Sequence, residues 1–153
     1  MSEQTRAALA AILAGADLAG PVPSARIAAA ECRFGMEFPN SYRVFLIHFG
    51  AAVCDGFFLA GLPPEPEGDR PPYWDDALAW WERLQAVSRG NLPQHLLPIS
   101  DDGQDSTFYL DCSRRDAVGE SQVIVMGPGR DSDIPVAASF TDFVRARSSG
   151  AIW

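Results

Sequence analysis

Three carboxylates crowd one short stretch of this chain. In "LLPISDDGQDSTFYLDC", residues 96–112, Asp101, Asp102 and Asp105 surround Gly103 between two apolar runs. Such a group can ligate a metal, do acid–base work, attract a basic partner, or turn a hairpin by bonding its own backbone. A calcium loop of EF-hand type needs acids at alternating positions, then a glycine, then a Glu further on. Asp101-Asp102-Gly103-Gln104-Asp105 has the wrong order, and Asp111 is too short and misplaced for the bidentate role. A glycosidase pair needs two acids across a substrate groove, and the sequence outlines none. The hairpin turn is mechanically simplest, because Gly103 accepts a positive φ and aspartates bond nearby amides. A turn uses one or two carboxylates, so three leave charge over.

The other reactive residue types form no catalytic pattern. The sequence has no G-x-S-x-G, no P-loop and no G-x-G-x-x-G. Gly127-Pro128-Gly129 reads as a turn, since Pro128 lacks the N–H a phosphate cradle would use. Cys32, Cys54 and Cys112 are widely spaced, and His48 and His95 are the only histidines, so no zinc spacing exists. Three unpaired thiols suit a reducing compartment, the cytoplasm. The expectation is a protein with no catalytic residues, no metal site and no cofactor.

Charge points toward a partner. The chain has 153 residues, 47% hydrophobic and 21% charged, and a formal net charge of −8. That length suits one domain, residues 1–153. Residues 1–50 hold four acids and four arginines, whereas residues 51–144 hold sixteen acids against six arginines. Direct nucleic-acid binding wants a basic face, so it is disfavoured; a basic protein partner is favoured. No apolar run approaches the roughly 20 residues of a membrane helix. The opening "MSEQTRAALAAILAGADLAG" reads as an amphipathic helix rather than a signal peptide, because Glu3 offsets Arg6.

Candidate partner-binding residues follow from the acidic loops. They are Glu65, Glu67 and Asp69; Asp75 and Asp76; Asp101, Asp102 and Asp105; and Asp131 and Asp133. Trp80 joins them, at the edge of a helical apolar stripe; such a ring is either core or, at a rim, an interface anchor.

The elements that must position these residues are legible from spacing and caps. Residues 2–14 read as a helix ended by Gly15, and Ser24 is placed to cap a second helix, "ARIAAAECRF", stopping at Gly35. A third starts at Pro39-Asn40-Ser41, with Tyr42, Phe45, Leu46 and Phe49 on one face. Residues 53–62 read as one strand bent at Gly56, and residues 63–72 as a loop. Asp75-Asp76 opens a fourth helix with Ala77, Leu78, Trp81, Leu84 and Val87 as its buried stripe. Residues 96–99, 106–112 and 121–127 read as an antiparallel meander, and 128–135 as a loop. Ser139 and Asp142 form a capping box for the last helix, ended by Gly150. The sum is an α+β domain without βαβ alternation.

As an ordered set these residues resemble the SMI1/KNR4 family, also called the SUKH superfamily. Ile27, Glu31, Gly35, Pro39, Tyr42, Arg43, Phe45, Leu46 and Gly50 match its opening pattern. "LLPISDDGQDSTFYLD" resembles its strand–acidic turn–strand, and "VAASFTDFV" its closing helix, so the likeness covers about residues 24–147. Two places differ: Phe49-Gly50-Ala51 stands where the family usually has Asn-Gly-Gly, and Gln104-Asp105 where it has Gly-Asp. The resemblance implies a mostly antiparallel curved sheet flanked by helices. It also implies a bacterial immunity protein that binds and neutralises a cognate toxin encoded next to it, often a nuclease or deaminase used in competition between cells. A regulatory or scaffolding module of the same fold is the alternative, and a carboxylate-dependent enzyme or metal protein the third reading. Oligomeric state is not indicated.

Overall fold

The structure is a computed structural model that describes residues 2–65, 68, 73–128 and 134–152. The first helix, α1 (Ser2–Ile12), buries Leu9. The second, α2 (Ser24–Phe34), begins after Pro23, whose φ of −61° already suits the chain entering the helix. Ser24 is therefore the first helical residue rather than the cap, and no side chain caps this end. Gly35 ends α2 at φ +91°, its amide donating to the Glu31 carbonyl at 2.8 Å.

The third helix, α3 (Asn40–His48), buries Tyr42, Phe45 and Leu46, and Phe49 follows on the same face. Glu31 braces its start: Oε2 accepts from the Phe38 amide at 2.6 Å and from Arg43 Nη2 at 2.5 Å. Tyr42 stacks edge-on against Phe140, 5.0 Å between centroids. The family-like signature residues thus serve the fold: they join α2 to α3 and α3 to the core.

Residues 53–62 form a hairpin rather than one bent strand. β2 (Ala52–Cys54) pairs antiparallel with β3 (Phe57–Leu59), in register Cys54↔Phe57. Asp55-Gly56 makes the turn, with Gly56 at φ +85°. That dipeptide is a strong two-residue hairpin signal, and it outweighs the continuity of the apolar run. A two-residue strand, β1 (Asp17–Leu18), pairs with the other side of β2. It is too short to leave a periodicity. At the end of the hairpin the backbone crosses itself closely. A Cβ on Gly61 would collide with the Gly50 carbonyl, and one on Gly50 with the Gly20 carbonyl. Of the Phe49-Gly50-Ala51 triplet, the middle position is the one whose missing side chain makes this crossing possible.

The second sheet runs β4 (Leu96–Asp101), β5 (Thr107–Asp111), β6 (Val123–Met126) and β7 (Ile134–Ala137), neighbours in chain order and all antiparallel. β7 adds a fourth strand to the expected meander and takes in the end of a stretch that reads as loop. Pro98 and Pro135 both fall on the outer strands of this sheet, where a missing donor is tolerated. The two sheets meet along β3 and β4. Ala60 N–H donates to the Ile99 carbonyl at 2.7 Å, and Ser100 Oγ to the Phe58 carbonyl at 2.6 Å. Ile99 lies where the β4–β5 register shifts, so its carbonyl is available to β3. The result is a strand layer made of two joined antiparallel sheets.

Helices cover it on both faces. Phe108, Leu110, Val123 and Val125 pack with Phe140, Phe143 and Val144 of α5 (Phe140–Ser149) in the main core. Ser139 Oγ caps α5 by accepting from the Asp142 amide at 3.1 Å, and Gly150 ends it at φ +82°. On the other face Leu96, Tyr109 and Ile124 meet Leu84 of α4 (Ala77–Val87). Ala77 and Leu78 are buried, and Trp81 and Leu84 partly so, but Val87 is 81% exposed. The chain folds back through Arg89 (φ +55°) and Gly90 (φ +79°), and Leu92 fills the place expected of Val87. Gln85 Nε2 holds this return by donating to the Leu92 carbonyl at 3.1 Å. Among the described residues no helix is long and apolar enough to cross a membrane.

Candidate interaction surface

The start of α4 is pinned to the strand layer. Gly61 donates to the Asp75 carbonyl at 2.9 Å, and Ala77 donates back to the Gly61 carbonyl at 2.8 Å. Asp76 then caps the helix, Oδ1 accepting from Ala79 N–H at 3.0 Å. Just before it, the Tyr73 hydroxyl donates to Asp17 Oδ2 at 2.7 Å and Trp74 Nε1 to the Asp17 carbonyl at 3.0 Å. The acidic loop is held at its other end by Arg26, which donates to the Leu62 and Pro63 carbonyls at 2.8 and 2.6 Å. Between these ties lies a hollow of about 240 Å³ whose walls include Glu65, Asp75, Asp76, Trp74 and Arg83.

Asp75 is partly covered, and this covering is the main reason its carboxyl titrates above the ordinary range; the Asp101 charge raises it further, and Arg83 opposes both. The two acidic segments therefore share one electrostatic neighbourhood. Trp80, one turn into α4, is half-buried against Phe58, 6.0 Å between ring centroids. Phe58 is the residue whose carbonyl Ser100 holds, one position before Asp101. Glu65, Asp75 and Asp76 thus line one hollow, and Trp80 packs on the strand that β4 adjoins. Glu67, Asp69, Asp131 and Asp133 lie outside the described residues.

The β4–β5 connection is the aspartate turn. Asp101 Oδ1 accepts from Gly103 N–H at 2.9 Å, and Asp102 Oδ1 from Gln104 N–H at 2.9 Å and Ser106 N–H at 3.1 Å. Gly103 sits at φ +79°. Gly127 lies so close that a Cβ there would meet Ser106. Two carboxylates therefore build the turn, and Asp105 stands exposed at its tip. Their charges remain: accepting an amide proton does not neutralise a carboxylate.

Other acids also brace the backbone. Glu120 accepts from Ser41 N–H at 3.1 Å and Ser41 Oγ at 2.7 Å, capping α3. Asp116 Oδ1 closes its own loop on the Val118 and Glu120 amides at 2.9 and 3.0 Å.

Catalytic alternatives meet specific obstacles. Asp111 Oδ1 accepts from Ser113 Oγ at 2.6 Å and lies 3.6 Å from His95 Nε2. The acid stands between hydroxyl and imidazole, whereas a base must touch the hydroxyl it deprotonates. Burial pushes the Cys54 thiol up to about 11 and the Cys112 thiol up to about 12, away from nucleophilic thiolate. Among the described residues no three His, Cys, Asp or Glu side chains are grouped to hold a metal ion.

Sequence reasoning missed a second hollow, about 450 Å³, between α1, α3 and the 114–120 segment. It is walled by Asn40, Arg43, Glu120 and the exposed side chains of Ile47 and Val118. Its members come from three segments far apart in sequence and carry no shared motif, so only the fold assembles them.

This geometry agrees with the family comparison. The sequence profile of the SMI1/KNR4 family (SUKH-1) matches residues 21–146. The chain belongs to that family, within the SUKH superfamily of immunity and regulatory proteins, which are generally non-catalytic and typically bind protein partners. No curated protein matched the chain.

Proposed function

We propose that this single-domain chain is a cytoplasmic immunity protein that neutralises a cognate toxin, encoded beside it, by non-catalytic binding. The toxin would present a basic face, as a nuclease or deaminase does around its polyanionic substrate. The observation that carries this reading is the grouping of Asp75 and Asp76 in one hollow, within reach of the Asp101 charge, on the helix that carries half-buried Trp80. Partial burial, and then the Asp101 charge, oppose the ionisation of Asp75. A basic surface would favour its charged form, and Trp80 would supply the apolar anchor. Glu65, Glu67, Asp69, Asp102, Asp105, Asp131 and Asp133 would extend the same acidic field. An interface of about 1,600 Å² would suffice for tight inhibition.

Co-expression with the product of the adjacent gene tests this. That product should arrest growth alone, be harmless with this chain present, and co-purify with it. A harmless product, or one that does not co-purify, removes the immunity reading. A regulatory scaffold is favoured by one observation, the second hollow with exposed Ile47 and Val118 (37% and 50%). Several partners recovered together, with no toxic neighbour, would support it.

A further inference from the structure

Arg147 joins parts of the chain that are distant in sequence. It lies in the last turn of α5, its guanidinium carbon 5.3 Å from the centre of the Phe57 ring and 5.4 Å from that of Phe108. Phe57 belongs to β3 and Phe108 to β5, so the cation touches both sheets. Nη2 donates to the Asp101 carbonyl at 3.2 Å, and Nη1 to the Ile152 carbonyl at 3.3 Å. Burial draws its pKa down, and the charges of Asp101 and Asp102, with the Cys54 thiol, pull it back up. The guanidinium is therefore retained in a half-apolar place by the turn it touches.

That contact falls where the turn is founded. Asp101 is the last residue of β4, paired with Thr107 as the ladder closes. Three of the amide bonds that shape the turn end on the Asp101 or Asp102 carboxylates, and the Asp102 amide itself donates to the Ser106 carbonyl at 3.1 Å. A displaced Asp101 would move every carboxylate in it.

We propose that Arg147 is a positioning residue for the aspartate turn, fixing the Asp101 backbone from the α5 side and setting the net charge the turn presents. The functional half of this proposal rests on the reading of the turn as part of a surface for a basic partner. The two roles separate chemically. Geometry needs the planar fork that reaches two carbonyls while stacking on rings; charge needs only a cation. Arg147→Lys keeps the charge and loses the fork. Arg147→Met keeps an apolar stem and loses both.

Amide hydrogen exchange on the whole chain tests the geometric half without any partner. In both variants the Gly103, Gln104 and Ser106 amides should exchange about fivefold faster, the equivalent of one lost hydrogen bond, with Val125 in β6 unchanged. Deca-arginine peptide is the probe for the charge half. It should leave both variants faster than wild type, and associate faster only with Arg147→Met, whose turn has lost its nearest cation. Unchanged exchange at the three turn amides overturns the proposal, and so does an equal acceleration at Val125, which would mean general destabilisation. Faster turn exchange with no deca-arginine binding to the wild-type chain supports the positioning role and overturns the basic-partner reading instead.

Discussion

The Tyr42 hydroxyl donates to the Ala60 carbonyl at 2.9 Å, and both residues are sealed from solvent. Ala60 is also the residue whose amide reaches across to Ile99 in the second sheet. One position therefore ties α3 to the hairpin and the hairpin to the four-stranded sheet. Tyr42→Phe keeps the ring and leaves that carbonyl unpaired, at a cost of about 1–3 kcal/mol. Urea and thermal melts should show it, with a midpoint lower by about 2–4 °C per kcal/mol at this chain length. A loss below about 0.5 kcal/mol, the range of an ordinary surface change, would mean the carbonyl has found another donor.

Asp75 gives a pH-dependent expectation. Its carboxyl is raised above the ordinary value of 3.8, first by burial and then by Asp101. The folded chain therefore holds this proton more tightly than the unfolded chain does. Its contribution to stability is greatest below 3.8 and declines as pH rises through the raised value. Asp75→Asn should be more stable than wild type at pH 7, and the advantage should vanish near pH 3. Equal stability at both pH values would mean that neither burial nor Asp101 holds the carboxyl up. The same substitution should weaken capture of a basic partner, the usual opposition between stability and a working surface.

Thiol labelling distinguishes the three cysteines. Cys32 is exposed, whereas Cys54 is half-buried and Cys112 buried, their thiols pushed up to about 11 and about 12. At pH 8 a thiol of pKa about 11 is ionised to roughly one part in a thousand. Dithionitrobenzoate should modify one thiol per native chain quickly, and mass spectrometry should place it on Cys32. All three should react in denaturant. Rapid native labelling of Cys112 would show that β5 opens readily.

Asparagine retains the acceptor oxygen that the turn uses, so replacing Asp101, Asp102 and Asp105 together with Asn removes charge while preserving the hairpin. Association with a basic partner should slow, and its decline between low salt and ~0.15 M should flatten. Surface plasmon resonance would read both. Trp80→Ala should act mainly on dissociation, weakening binding by about 2 kcal/mol or more if the ring is an anchor. A salt-independent association rate in the wild-type chain would shift the weight from the carboxylates to the aromatic rim.

Much of the fold was legible because its helices keep their periodicity and punctuation. Tyr42, Phe45, Leu46 and Phe49 recur at helical spacing, and Ser139 caps where its type predicts. The misreadings share a cause. β1 is two residues long, and β7 follows a loop-like stretch; both are strands because a neighbour pairs with them. Val87 fits the apolar stripe of α4 but is exposed, and Leu92 packs on that face instead. The acids were legible as charge, not as a site. Nothing in the spacing of Asp75 and Asp101 says that one feels the other's charge, and Phe58 and Arg147 acquire their roles only through contacts between helix and strand.

The two sheets are largely assembled from strands adjacent along the chain, so most pairings close short loops. Two do not: Asp17 with Val53, and Ala60 with Ile99. Each encloses helices, α2 and α3 in the first case and α4 in the second. Loop closure of this length adds little to the free-energy balance but slows the search. The Ala60–Ile99 closure also joins the hairpin on which Trp80 packs to the strand that ends in Asp101. A chain with both hairpins formed and this seam open would have its secondary structure but no assembled acidic face, so competence to bind is expected to arrive late, with the seam.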